Sequence, residues 1–262
     1  MLELCTLASG SSGNCLLATD GTTHLLLDVG ISARRICKGL RELGVEPAEL
    51  AGILITHEHS DHIAGLATLN KQLGLPVYAS GGTARQLCYR IAFLEERIHT
   101  FRPGEHFEIG TLGVETFPTS HDAAEPTGYA LTGGGRKAAV VTDLGYVTDA
   151  VLSGVRGADL LVAEANYDEE WLLSGPYPYY LKQRILGDRG HLSNDAGAAL
   201  VRACVEGGTS TVVLAHLSKE NNTPARAYGA VCSLLELGGV DVDRDITLEV
   251  APRSECGRRC AV

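Results

Sequence analysis

The chain has 262 residues, 45% of them hydrophobic, and 22 basic side chains against 32 acidic ones give a formal charge of −10. That is chain and apolar content enough for one domain with a large buried core, while an acidic surface repels polyanions unless a local basic region offsets it. No apolar run nears the roughly 18 residues of a membrane span, and the opening MLELCTLASG carries Glu3 and no basic stretch, so neither a membrane helix nor a signal peptide is read.

In chain order, residues 2–8, 14–19 and 24–29 read as short apolar strands separated by Gly and Ser turns. Residues 32–43 have helical spacing, with Ile36, Leu40 and Leu43 on one face and Arg34, Arg35, Lys38 and Arg41 elsewhere. A continuous apolar strand follows at 52–56, then a helix over 63–74 that ends at a glycine, a strand at 76–80 and a helix near 82–92. Between 107 and 142 the segments FEIG, LGVETFP, GYALT and AAVVT read as a meander. Buried strands are expected at 158–164 and 211–216, helices at about 193–206 and 224–237, and a closing strand at 246–251. Strand clusters alternating with helices imply an α/β (α+β) architecture: two packed sheets covered by helices, an αββα sandwich. The expectation is a single domain over 1–262 with a loose tail at about 253–262, located in the cytoplasm. Cys5, Cys15, Cys37, Cys88, Cys204 and Cys232 lie in apolar segments, where a reduced thiol acts as a small hydrophobe. Cys256 and Cys260 are spaced CGRRC in the tail, without the two further ligands that a zinc site needs nearby.

The sharpest signal is T-H-E-H-S-D-H, from Thr56 to His62, directly after the strand at 52–56. Three imidazoles and two carboxylates in so short a run are costly to bury and purposeless to expose. His57 and His59 are two apart, so in an extended segment they point to the same side, and Asp61 and His62 can turn toward a second ion. Zinc and manganese accept such a mixture of imidazole and carboxylate. A polar loop in which Ser60 or Asp61 merely caps the next helix accounts for one residue and leaves three histidines unexplained. More ligands stand just beyond later strands: His121, Asp143 and His216. Asp143 suits a bridging position, because one carboxylate can give an oxygen to each of two ions.

This order of motifs resembles the metallo-β-lactamase superfamily across the whole chain. The resemblance implies two divalent ions, zinc or manganese with iron as a further candidate. By it, His57, His59 and His121 hold one ion and Asp61, His62 and His216 the other, with Asp143 and a hydroxide between; Asp61, Asp143 and His191 carry catalysis. Finer features resemble the YycJ/WalJ branch, whose members are DNA exonucleases: SGSSGN at 9–14, TSHDA at 119–123, TDLG at 142–145, EANYD at 164–168, GHLSN at 190–194 and AHLSKENN at 215–222. The implied substrate is a DNA end.

His191 stands where Ser193 or Asn194 can cap a helix, and the resemblance turns it toward the metals as phosphate donor or general acid. Lys182, Arg184, Arg189, Lys219 and Arg226 are candidates for the local basic rim that the net charge demands. Asp28 can orient a ligand histidine from behind or serve as a turn residue before Gly30, and Glu164 and Asn166 can reach the site. The loop of Ser9, Gly10, Ser11, Ser12, Gly13 and Asn14 is either a tight turn or a nest of N–H groups for an anion, here a 5′-terminal phosphate. Ser9, Ser11, Ser12, Asn14, Asn166 and Lys219 are therefore the expected substrate contacts. Two other readings stay open: a small-molecule hydrolase of the same fold, acting on cyclic phosphodiesters, thioesters or lactones, and a regulatory protein that keeps metals as structure.

Overall fold

The structure, a computed structural model, describes residues 1–242 and 244–262. Strands β1 (Glu3–Ala8), β2 (Cys15–Thr19), β3 (His24–Leu27), β4 (Leu50–Leu54), β5 (Val77–Ser80) and β6 (Ile98–Phe101) form the first sheet in that spatial order. β1 to β3 run antiparallel to their neighbours, whereas β3 to β6 are parallel. The second sheet runs in order from β7 (His106–Ile109) through β8 (Leu112–Pro118), β9 (Thr127–Gly133), β10 (Arg136–Val141), β11 (Leu160–Glu164) and β12 (Thr211–Ala215) to β13 (Thr247–Val250). β7 to β10 make the expected antiparallel meander, and β10 to β13 are parallel. A short strand, β14 (Cys260–Ala261), joins the first sheet beside β1.

The facing sides of the two sheets bury Leu4, Leu16, Leu25, Leu54, Tyr129, Leu131 and Val162 in one cluster. Helices α1 (Ala33–Glu42), α2 (Ser60–Ile63), α3 (Leu66–Leu73) and α4 (Gly81–Arg90) follow strands of the first sheet; Ile36, Leu40, Leu66, Leu69 and Leu87 pack on its outer side. Of α5 (Asp149–Val155), α6 (Glu169–Ser174), α7 (Tyr179–Leu186), α8 (Asn194–Glu206) and α9 (Pro224–Leu237), it is α5, α8 and α9 that cover the second sheet, through Val151, Val201 and Val231 among others. Every residue of β11 and β12 is buried, as strands covered on both faces require, which is why both read as apolar runs apart from one end residue each, Glu164 and Thr211. The result is the αββα sandwich.

Several elements differ from the sequence reading. The helix expected at 63–74 is two pieces, because Gly65 packs so tightly that a Cβ there would stand 2.1 Å from the Ile31 carbonyl oxygen. α5, α6, α7 and β6 were not foreseen: at 4 to 8 residues they are too short to display a hydrophobic period. The tail is the main correction. Instead of lying loose, β14 pairs with β1, Leu2 and Val262 exchange main-chain hydrogen bonds of 3.0 and 2.9 Å, and Gly257 donates to the Thr6 carbonyl at 2.8 Å. Cys260 is buried between the sheets while Arg258 and Arg259 reach out to Glu249 and Glu3.

Candidate metal centre

Parallel strands end together at one rim of the sandwich, and the side chains singled out by sequence collect there. Asp28 follows β3, His57 lies just past β4, Asp143 follows β10 and His216 follows β12. Asp28, Asp143 and His216 adopt left-handed backbone, with φ of 57°, 61° and 58°. Each such residue costs about 1–2 kcal/mol, and Asp and His are among the types that tolerate it best. The twist breaks the strand's side-to-side alternation and lets these side chains turn over the rim. Loops are then stitched together through their main chains: Asn14 N–H donates to Asp61 O at 2.7 Å, Gly30 N–H to Asn14 O at 2.7 Å and Val29 N–H to His62 O at 2.8 Å. Gly30 has to be glycine, since a Cβ would fall 1.6 Å from Asp61 O.

Four overlapping sets of side chains offer donor atoms within 4.8 Å of one another: His57, His59 and His121; Asp61, His62 and His216; His57, His62 and Asp143; and Asp143, Glu164, His191 and His216. All seven residues expected as ligands fall in this cluster, and Asp143 links its halves. Asp143 Oδ2 stands 3.3 Å from His62 Nε2, and its Oδ1 stands 3.6 Å from His121 Nε2. His57 Nε2 and Asp143 Oδ2 are buried and accept no hydrogen bond among the described residues. Leaving such atoms unsatisfied costs about 1–3 kcal/mol each, and a cation between them removes that cost. The donor set, imidazole and carboxylate around a buried centre, fits divalent zinc or manganese.

One ring nitrogen of His57, His62, His121 and His216 is engaged on the outer side of the cluster, which aims the other inward. His62 Nδ1 meets Asp28 Oδ2 at 2.7 Å, so Asp28 stands behind a histidine of this cluster. His57 Nδ1 meets Thr56 Oγ1 at 3.0 Å, and Thr56 in turn donates to Asp28. His121 Nδ1 meets Gly190 O at 3.0 Å. His216 Nδ1 meets Glu164 Oε1 at 2.7 Å and leaves Nε2 facing Asp61 Oδ2 at 3.5 Å.

Glu164 is the residue whose weight sequence reasoning underestimated. Fully buried, it also takes His191 Nδ1 on Oε1 at 2.9 Å, and the amides of Leu144 and Leu192 on Oε2 at 3.2 and 3.0 Å. The signal was a carboxylate ending an otherwise apolar buried strand. Burial alone would raise its pKa, but His191 and His216 outweigh that and hold it well below the usual range. Burial would likewise lower His216, yet Asp143, Asp61 and Glu164 lift it to about 10. His57 moves the other way, pushed down by burial and by the three neighbouring histidines. Protons and a divalent cation thus compete for the same atoms.

A cavity of about 220 Å³ opens beside the cluster, lined by His59, Asp61, His121, Asp143, His191 and His216, and on its other walls by Ser11, Asn166, Tyr177, Arg184 and Ser218. Other expected substrate contacts lie elsewhere. Ser9 is buried and accepts the His216 N–H at 2.8 Å; Asn14 accepts the Gly10 N–H at 2.8 Å and meets His62 Nε2 at 3.1 Å. Ser12 and Lys219 are exposed and are not among the cavity's lining residues. Of the five candidates for a basic rim only Arg184 lines the cavity, and Asp122 accepts from it at 2.6 Å. Arg226 instead pairs with Asp168 at 2.7 Å and stacks on Trp171. Glu58, the second acid of the histidine motif, accepts from the Ala124 amide at 2.9 Å and thereby holds the loop after His121.

Comparison with known proteins agrees with this geometry. Residues 23–217 match the beta-lactamase superfamily domain. The chain is 38% identical over 242 residues to exodeoxyribonuclease YycJ of Bacillus anthracis, covering 92% of each chain. It is 39% identical to exodeoxyribonuclease WalJ of Streptococcus pneumoniae, covering 90% of each. Among solved structures, the metallo-β-lactamase fold protein YhfI of Bacillus subtilis superposes with a TM-score of 0.71 over 98% of both chains at 17% identity, a likeness of fold.

Proposed function

The chain belongs to the metallo-β-lactamase superfamily, and on that premise we propose that it is a metal-dependent exodeoxyribonuclease that removes nucleotides from the 5′ ends of DNA. The observation that carries this reading is the convergence of seven imidazole and carboxylate side chains beside a cavity in a chain 38% and 39% identical to two exodeoxyribonucleases. We read the chain as a single domain acting in the cytoplasm. His57, His59 and His121 would hold one divalent ion and Asp61, His62 and His216 a second, with Asp143 shared; zinc or manganese suits the donors, with iron as a further candidate. Ions bound there would lower the pKa of a water and offset the charge of a phosphodiester.

The chain's own groups do the rest. Glu164 fixes the imidazole of His216 with its Nδ1 protonated, so that Nε2 points inward. It fixes His191 in the same way, and the remainder of that ring lines the cavity. With Nδ1 bonded to Glu164, a protonated His191 can pass its Nε2 proton to the leaving oxygen and stay bonded to Glu164 as a neutral ring. Asn166 donates to the His216 carbonyl at 2.7 Å and so steadies the loop that carries this ligand.

Purified protein supplied with manganese or zinc should degrade end-labelled DNA progressively from its ends and faster than RNA. Hydrolysis of a small diester with no action on DNA of any form would overturn the assignment.

A further inference from the structure

A 5′-directed exonuclease must distinguish an end from an internal linkage, yet Arg184, the one lysine or arginine among the described residues that line the cavity, is already paired with Asp122. A different cation touches the loop that contributes Ser218 to the cavity wall. Arg253, in the tail beyond β13, is half-buried, and its guanidinium is held by main-chain carbonyls: Leu217 O at 3.3 Å and Ser218 O at 3.2 Å. No carboxylate among the described residues pairs with it. Those two carbonyls belong to the residues immediately after His216, and Ser218 itself lines the cavity.

Arg253 also leans on the turn at residues 10–13. A Cβ on Gly10 would stand 3.2 Å from Arg253 Nη1 and 2.9 Å from Leu217 O, and Gly10 has φ of 130°, so this approach needs glycine. Within the turn, Gly10 N–H is taken by Asn14 Oδ1, Gly13 N–H by Gly10 O and Asn14 N–H by Asp61 O. Ser11 and Ser12 are exposed, their amides make no hydrogen bond among the described residues, and Ser11 lines the cavity. A guanidinium without a carboxylate partner, against a turn with two free N–H groups among the described residues, suits a dianion, because each N–H directed at a charged oxygen makes a stronger bond than a neutral pair.

We propose that Arg253, together with the exposed turn at Ser11 and Ser12, is the subsite that receives the 5′-terminal phosphate monoester of the DNA substrate. The inference rests on the DNA reading above and adds the residue that recognises the end. It makes the C-terminal segment part of substrate selection, through a side chain fixed by the loop that carries ligand His216.

The test is binding, which needs no turnover. Anisotropy would compare hydrolysis-resistant phosphorothioate oligonucleotides, labelled at the 3′ end, bearing either a 5′-phosphate or a 5′-hydroxyl. Wild type should favour the phosphate by about tenfold or more. Arg253→Gln should bring that ratio close to one, and Arg253→Lys, which keeps the charge and loses the fork, should fall between. The lysine variant also covers the case in which the glutamine variant does not fold, as judged by its melting temperature. Equal binding of both ends by wild type, including no binding of either, overturns the proposal, as does an undiminished ratio in the variants. Degradation of unmodified DNA is scored separately, so failure of the nuclease assignment is distinguishable from failure of this subsite.

Discussion

Replacing Glu164 by glutamine exchanges one carboxylate oxygen for an NH₂ in the middle of the site, and its cost can be worked from the four donors that surround the carboxylate. An ionised carboxylate only accepts, and here Oε1 serves the two imidazole Nδ1 atoms while Oε2 serves the two amides. A glutamine has one acceptor atom and one NH₂, so either pair must face a donor. If the NH₂ faces the amides of Leu144 and Leu192, two buried N–H groups lose their partner at about 1–3 kcal/mol each, or roughly 2–6 kcal/mol in all. If it faces the imidazoles, His216 can comply by moving its proton to Nε2, the nitrogen that points at Asp61 and is needed for a metal ion. Both outcomes can be measured. Glu164→Gln should either melt at least about 4 °C lower or bind its divalent ions about 10–100-fold more weakly, losing turnover in either case. Calorimetric melting and zinc titration against a competing chelator would read these. A variant that melts, binds zinc and turns over DNA like the wild type would show that Glu164 does not set the orientation of these rings.

Metal loading should give two divalent ions per chain by elemental analysis, and Asp143→Ala should lose both the shared ligand and hydrolysis; one ion with full activity would contradict the paired arrangement. His191→Ala should lower kcat by about 10²–10⁴ with metal content unchanged, whereas near-normal turnover would leave His191 a packing residue at the start of α8. Deleting residues 258–262 removes the Leu2–Val262 hydrogen bonds and the buried Cys260. About 1–3 kcal/mol for the two bonds alone corresponds to a melting temperature lowered by several degrees. An unchanged melting curve would mean that β14 contributes nothing to the first sheet.

The sequence revealed the histidines and aspartates that cluster at the rim and hid their supports, for a physical reason. A histidine or aspartate just past an apolar run is conspicuous because strands bury on both faces and then stop, so His57, Asp143 and His216 could be placed at one rim from order alone. Glu164 stands inside the strand rather than beyond it, and only the two rings folded back over it show why burial is tolerated. The exposed helix α7 buries no residue, so it carries no hydrophobic stripe to read, although Leu181, Arg184 and Ile185 form a wall of the cavity. The tail looked loose because PRSECGRR, residues 252–259, is mostly polar. A two-residue strand needs only one inward side chain, Cys260, and two main-chain bonds to hold it. Arg253 went unnoticed with it.

The left-handed backbone at Asp28, Asp143 and His216 bears on how this protein would respond to laboratory evolution. Three residues at about 1–2 kcal/mol each hold back roughly 3–6 kcal/mol, a large share of the 5–15 kcal/mol that typically separates folded from unfolded chains. Glycine at any of the three positions would relieve the backbone strain and delete a group that the centre depends on. A library of variants at these positions, selected by heat resistance in the absence of metal, should therefore enrich for catalytically dead clones. Selection on hydrolysis would retain the strained residues and seek its stabilising changes in the helices and strands away from the rim.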